Sequence, residues 1–263
     1  MQFETLTYEV RGHVALITLN RPARMNTLGG TMKPDLAAAF FEHARNDEAV
    51  RCVVLTGAGD RAFCAGADIK ERAGNTPAPA DYFVRQQRTH ELFSGIAAFE
   101  KPVIAAINGV ALGGGLELAL CADIRIAADH ARLGLPEIKL GVIPAAGGTQ
   151  RLTRVVGAAI AKELIFTSAM LSANEALQLR LVNRVVAADT LLLSAITLAD
   201  SIAAQPPLAV RFAKQAIELG ENVDIHSALQ YERFSAAMIM DSEDRREGMR
   251  AFVEKRAPVF RGR

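Results

Sequence analysis

The sequence predicts an α/β fold, a core of strands alternating with helices, followed by a helical C-terminal part. Two patterns carry that expectation. In the first half of the chain, short apolar runs rich in β-branched residues alternate with segments of helical periodicity, at intervals suited to crossover units. From Thr149 onward the pattern is almost wholly helical, interrupted near residues 181–186. With 263 residues, half of them hydrophobic and 22% charged, the chain can bury a full core as one large domain or two. The division is expected near residues 187–205, giving a core of residues 1–195 and a helical region of residues 196–263.

The first strand is expected at Val14-Ala15-Leu16-Ile17-Thr18-Leu19, closed by Asn20-Arg21-Pro22. Residues 34–45 read as a helix, with Leu36, Phe40 and Phe41 on one side. Val53-Val54-Leu55-Thr56 is a second strand, followed by the turn Gly57-Ala58-Gly59-Asp60. Residues 62–70 are small and irregular. Residues 74–81 hold two prolines and several small residues and are expected to form a mobile surface loop. A helix over residues 82–99 leads into the apolar run Val103-Ile104-Ala105-Ala106-Ile107, and residues 123–128 form a further strand. Pro206-Pro207 marks a helix start, with Val210, Ala213 and Ile217 at helical spacing. No internal repeat is visible in the sequence.

Lys and Arg number 30 against 29 Asp and Glu, so charge gives no argument for nucleic acid or a membrane as the main partner. Cys52, Cys64 and Cys121 are odd in number and far apart; no disulfide framework or zinc cluster follows, and a reduced, cytoplasmic protein is expected. The N-terminus lacks the basic start and apolar core of a secretion signal. No apolar run approaches the roughly 20 residues needed to span a bilayer.

The chemistry is concentrated in residues 102–120. A buried strand runs into Asn108-Gly109, a turn signal, and then into Gly113-Gly114-Gly115 and a small-residue helix that contains one charge, Glu117. Glycines at a strand-to-helix junction leave backbone N–H groups uncovered, and a carboxylate among leucines is costly to bury. Other chemistries fit less well. Gly57-x-Gly59-x-x-Ala62 matches a dinucleotide fingerprint, but residues 63–67 are too irregular to open the helix it needs, so an ordinary glycine turn is the better reading. There is no Walker loop and no G-x-S-x-G elbow. The five histidines are scattered, so no metal site is expected.

A glutamate on a helix ordinarily faces solvent. Glu117 and Glu137 instead lie in apolar, glycine-rich surroundings, where two carboxyl groups could hold one water and divide acid and base roles. The turns at residues 65–68 and 113–115 could each offer a backbone N–H. Two such donors make an oxyanion hole suited to the enolate of a thioester.

Four segments carry a resemblance: Phe63-Cys64-Ala65-Gly66-Ala67-Asp68-Ile69-Lys70-Glu71; residues 102–118; Pro136-Glu137-Ile138-Lys139-Leu140-Gly141 with Gly147-Gly148-Thr149-Gln150-Arg151-Leu152; and the tail at residues 244–256. Together they closely resemble the crotonase superfamily, and within it the enoyl-CoA hydratases, over residues 14–260. The resemblance implies a spiral core of ββα units with a helical C-terminal region that builds a homotrimer or homohexamer. It implies an oxyanion hole from the N–H groups of Ala67 and Gly114. Glu117 would activate the water that adds to Cβ, and Glu137 would deliver the proton to Cα.

For substrate binding, the resemblance implies that Ala65, Ala67, Asp68, Ile69, Lys70 and Gly114 line the coenzyme A thioester and that Arg24 contacts its phosphates. Phe252 and Lys255 would approach the CoA of the same or an adjacent subunit. No separate cofactor and no metal are implied, because coenzyme A enters as part of the acyl-CoA thioester substrate. Both glutamates favour hydration of a 2-enoyl-CoA over double-bond isomerisation. The alternatives are an isomerase, a hydratase for branched or unusual acyl chains, or a catalytically silent acyl-CoA- or RNA-binding relative. One departure is Pro144-Ala145, where many hydratases have Pro-Gly; the added methyl could narrow the substrate range.

Overall fold

The computed structural model describes residues 3–74 and 77–263. The chain opens with an antiparallel hairpin of β1 (Leu6–Arg11) and β2 (Val14–Leu19), turned at Gly12. β1 goes unseen in the sequence because it is an edge strand of mixed polarity with only Leu6 fully buried. The helix α1 (Met32–Ala37) continues as a π-helical segment over Ala38–Ala44, and together they bury Met32, Leu36, Ala39 and Phe40.

One step is then repeated. β3 (Cys52–Gly57) lies in one sheet, β4 (Ala62–Cys64) in a second, and α2 (Ile69–Arg72) and α3 (Pro79–Ala97) carry the chain back. β5 (Val103–Ile107) and β6 (Val110–Leu112) do the same, followed by α4 (Gly114–Ala119). β7 (Ile124–Ala128) and β8 (Arg132–Gly134) do so again, followed by a 3-10 turn at Pro136–Leu140, α5 (Gly148–Val156) and α6 (Ala158–Thr167). β9 (Met170–Ser172), α7 (Ala173–Gln178) and β10 (Arg184–Val186) complete the sheets. The helices α8 (Leu191–Ala203), α9 (Pro207–Gly220), α10 (Ile225–Ile239) and α11 (Glu243–Glu254) end the chain. A structural ββα repeat is therefore present without a visible sequence repeat.

The larger sheet has the order β1-β2-β3-β5-β7-β10 and is parallel apart from the β1–β2 pair. Both faces are buried, which explains strands that read as unbroken apolar runs. Alternate residues Val14, Leu16, Cys52, Val54, Ile104, Ala106, Ile126 and Ala128 face Leu191, Ala195, Ala199 and Ala203 of α8. The small residues of that stripe let the helix lie close on the sheet. The opposite residues, including Ile17, Leu55, Ala105 and Ile107, face the main core with Phe40, Phe63, Phe93 and Phe99. The smaller sheet has the order β4-β6-β8-β9.

The expected loop over residues 74–81 is corrected at its end: α3 starts at Pro79, so Pro79, Ala80 and Asp81 are helical. Proline suits a first helical turn, where its missing N–H has no acceptor to satisfy, and Asp81 complements the helix dipole. Asn75 and Thr76 lie outside the described residues. The helix α8 runs through residue 195, and its inner face covers the sheet. No residue of α9 is fully buried, and Ile217, Ile225, Leu229, Phe234 and Met238 are exposed. Among the described residues no single helix is long and apolar enough to cross a membrane; Ala188–Ala203 with Pro207–Gly220, bent by 105°, passes by length and composition only. All three cysteines are free and buried, and burial pushes each thiol up to about 12.

Candidate active site

β4, β6 and β8 are neighbours in the smaller sheet and run parallel, so their C-terminal ends share one edge. The residues just past those ends are Ala65 to Asp68, Gly113-Gly114 and Leu135 to Glu137. Three segments far apart in sequence are therefore brought together by strand pairing alone.

Ala67 and Gly114 meet at this edge. Gly66 has φ +87°, and a Cβ built on it would lie 2.6 Å from Leu112 O and 3.1 Å from Gly114 N. A Cβ on Gly114 would lie 3.8 Å from Ala67 N. Gly113, with φ +51°, turns the chain from β6 into α4, and its N–H donates to Gly134 O at 2.9 Å. Among the described residues neither the Ala67 N–H nor the Gly114 N–H has a backbone acceptor. Both residues are half-buried, and their amides lie close together at this edge.

Glu117 follows on α4. The helix is pressed onto β4 at Gly115, where a Cβ would come within 1.9 Å of Cys64 O; only glycine fits. Glu117 is 2% exposed, and its Oε1 accepts the N–H groups of Ala146 and Gly148, each at 2.7 Å. Burial pushes its carboxyl up, against those two amides and the smaller influence of Arg151 and His90. Charge-assisted bonds of this kind are what allow a buried carboxylate to stay ionised.

Glu137 lies on the 3-10 turn, with Oε1 2.7 Å from where a Cβ of Gly113 would stand. Its Oε2 is buried without a hydrogen-bond partner among the described residues. Burial, with the charge of Glu117 adding to it, raises its carboxyl to about 7. One carboxyl is gripped and the other is left unpaired, facing the same space. Two carboxyls held differently, one by two amides and one unpaired, thus lie at the strand edge that carries the Ala67 and Gly114 amides, an arrangement that can divide acid and base work.

The other expected residues divide into two groups. Asp68 is 5% exposed and engaged within the protein: it caps α2 through the Glu71 N–H, accepts from Thr27 Oγ1 at 3.2 Å and pairs with Arg21 at 3.6 Å. Burial opposes its ionisation, but these partners with Arg24 and Arg21 hold its carboxyl below the usual range. Arg21 also joins Glu71 at 2.8 Å, which latches α2 to the segment carrying Arg24. Arg24, Ile69 and Lys70 are exposed near the turn that holds Ala67, and Ala65 N donates to Met25 O at 3.0 Å. Phe252 is 83% exposed on α11, and Lys255 caps that helix with φ +53°; within this chain the structure does not bring them to the two glutamates. Ala145 has no positive φ, so alanine sits there without backbone strain. Gly57 and Gly59 lead into β4 rather than a helix, which removes the dinucleotide reading. Among the described residues no group of three or more His, Cys, Asp or Glu is arranged to hold a metal. Sequence reading does not single out Ala146 and Gly148; the one available signal is Gly147-Gly148 opening a helix.

Comparison with known proteins agrees with this geometry. The sequence matches the family described as enoyl-CoA hydratase/isomerase over residues 9–263. It is 42% identical to the short-chain-enoyl-CoA hydratase of Clostridium acetobutylicum over 257 residues, 97% of each chain. It is 40% identical to the crotonyl-CoA hydratase of Syntrophomonas wolfei over 260 residues, 99% of each chain. The crystal structure of an enoyl-CoA hydratase from Bacillus anthracis superposes with a TM-score of 0.95 at 43% identity, covering 99% of this chain and 100% of that one. The spiral of ββα units is the crotonase fold. The chain belongs to the enoyl-CoA hydratase/isomerase family.

Proposed function

We propose that the protein is an enoyl-CoA hydratase, adding water reversibly across the 2,3 double bond of a 2-enoyl-CoA thioester. The observation that carries this reading is a pair of carboxyls, one held by two amides and one without a partner, at the edge that carries the Ala67 and Gly114 amides. An isomerase moves one proton and holds no water, so it has no need of a second carboxyl there. In the proposed reaction Glu117, ionised and fixed through Oε1, and Glu137, protonated on the acid side of about 7, hold one water between them. The water oxygen bonds to Cβ while Glu117 takes its proton. The electron pair of the double bond moves onto the thioester oxygen, where the N–H groups of Ala67 and Gly114 stabilise the enolate. Glu137 then gives its proton to Cα, and exchange with solvent returns both carboxyls to their starting states.

In comparable sites one oxyanion donor contributes about 2.7–4 kcal/mol, and a general acid or base roughly 10²–10⁴-fold in rate. Coenzyme A arrives with the substrate, and no resident cofactor takes part. Arg24, Ala65, Ile69 and Lys70 are proposed to line its path. The exposed apolar residues of α9 and α10 support a homotrimer or homohexamer, in which Phe252 and Lys255 reach a neighbour's CoA; a monomeric mass by light scattering would remove that part.

The test incubates the protein separately with crotonyl-CoA and with a 3-enoyl-CoA. Loss of the conjugated absorbance with formation of 3-hydroxybutyryl-CoA is the expected result. Conversion of the 3-enoyl-CoA to a conjugated product, without hydration of crotonyl-CoA, would support an isomerase instead.

A further inference from the structure

Helix α3 carries a polar stripe of Gln86, His90 and Ser94, spaced at i, i+4 and i+8 and therefore on one face. Gln86 and His90 meet the loop that grips Glu117, and Ser94 reaches it through Arg151 of α5. Gln86 Nε2 donates to Ala145 O at 2.5 Å, and His90 Nε2 lies 2.5 Å from the same oxygen. A carbonyl only accepts, so His90 Nε2 carries a hydrogen and both lone pairs of Ala145 O are used. Ser94 Oγ accepts from Arg151 Nη2 at 3.2 Å, and Arg151 Nη1 donates to Ala146 O at 3.1 Å.

The Ala145 carbonyl and the Ala146 N–H belong to one planar peptide group. Whatever fixes the direction of that carbonyl fixes the N–H, which points at Glu117 Oε1 from 2.7 Å. Two donors on the oxygen also polarise the group and strengthen its N–H as a donor. The stripe is not what docks the helix, since α3 is held by its buried face of Thr89, Leu92, Phe93 and Ile96.

We propose that Gln86 and His90 are positioning residues, clamping the Ala145–Ala146 peptide from α3 so that its amide orients Glu117. The inference rests on the reading of Glu117 as the carboxylate that activates water. Both side chains act through the peptide and need not touch substrate.

The test compares the full-length wild type with Gln86→Leu, His90→Leu, the double variant and His90→Gln, which keeps an N–H donor. The readouts are kcat and KM with crotonyl-CoA, the acid limb of kcat against pH, and an infrared titration of the Glu117 carboxyl, identified as the band lost in Glu117→Gln. Arg151 on α5 and Glu137 on the 3-10 turn, the other charged groups facing Glu117, stay unchanged. The double variant is expected to lose about tenfold or more in kcat with KM held within about twofold, the scale on which a misplaced catalytic group acts. Its acid limb and infrared midpoint should both move to higher pH. Each single Leu variant should lose less, and His90→Gln should stay nearer wild type than His90→Leu. If the double variant does not fold, the two substitutions at exposed His90 carry the same comparison. A double variant with wild-type melting, kcat and Glu117 titration overturns the proposal, as does a loss confined to KM. If the wild type hydrates no enoyl-CoA, the functional reading fails, and the infrared midpoint still decides the clamp.

Discussion

Glu117 Oε1 lies 2.7 Å from the amide nitrogen of Gly148, the first residue of α5. The carboxylate therefore sits at the positive end of a helix, and the Ala146 N–H approaches the same oxygen from the loop. This pairing holds a charge where only 2% of the residue is exposed.

Gly148→Ala should break it. An added Cβ would stand 2.9 Å from Glu117 Oε1 and 2.8 Å from Pro144 Cβ, both in buried residues, so one of them must shift. The expected outcome is a fall in kcat on the order of 10²-fold, the cost of moving a reacting group by about an ångström. Steady-state kinetics with crotonyl-CoA, with a melting curve to confirm folding, checks this.

A second substitution addresses the paired amides. Gly66→Ala places a methyl 2.6 Å from Leu112 O at a φ of +87°, forcing the Ala67 turn away from Gly114. A kcat lowered by about 10²–10³-fold, as for loss of one oxyanion donor, is expected, with a smaller change in KM. A variant with kcat unchanged would place the oxyanion hole elsewhere.

The sequence and the structure differ in instructive places. Glu117 and Glu137 are legible because charge among leucines and glycines is locally anomalous. The meeting of Ala67 with Gly114 is less so: it depends on β4 and β6, strands too short to show a period of two. β1 is hidden by its mixed polarity, and β9 by its length of three residues. Gln86 and His90 look like the solvent side of an amphipathic helix, and only the path of residues 144–148 across α3 shows what they bond.

In the proposed mechanism Glu137 governs the pH dependence of activity. As the proposed acid its carboxyl must be protonated, and burial raises it to about 7. Raising the pH through that value removes the proton, so kcat/KM for hydration should fall on the alkaline side with a midpoint near 7. At low pH it should fall again as Glu117 takes up a proton. Rate profiles of the wild type and Glu137→Gln test this, and the variant should lack the alkaline limb.

The same residue should cost stability at high pH. Its folded pKa, about 7, lies above the ordinary 4.5, so its contribution is fully present below 4.5 and is lost as pH rises through about 7. Glu137→Gln is therefore expected to stabilise the protein near pH 8, by at most roughly 3 kcal/mol and nearer 1 after solvent screening, and to be close to neutral near pH 4. Denaturant unfolding at the two pH values measures the difference.

The most direct measurement of the central claim follows the hydration of crotonyl-CoA by the wild type, Glu117→Gln and Glu137→Gln, with CoA-thioester binding measured in parallel. The account predicts turnover by the wild type and losses of at least about 10²-fold in each variant, with binding retained. A variant as fast as the wild type, or a wild type inert on crotonyl-CoA and on longer and branched enoyl-CoAs, would contradict it.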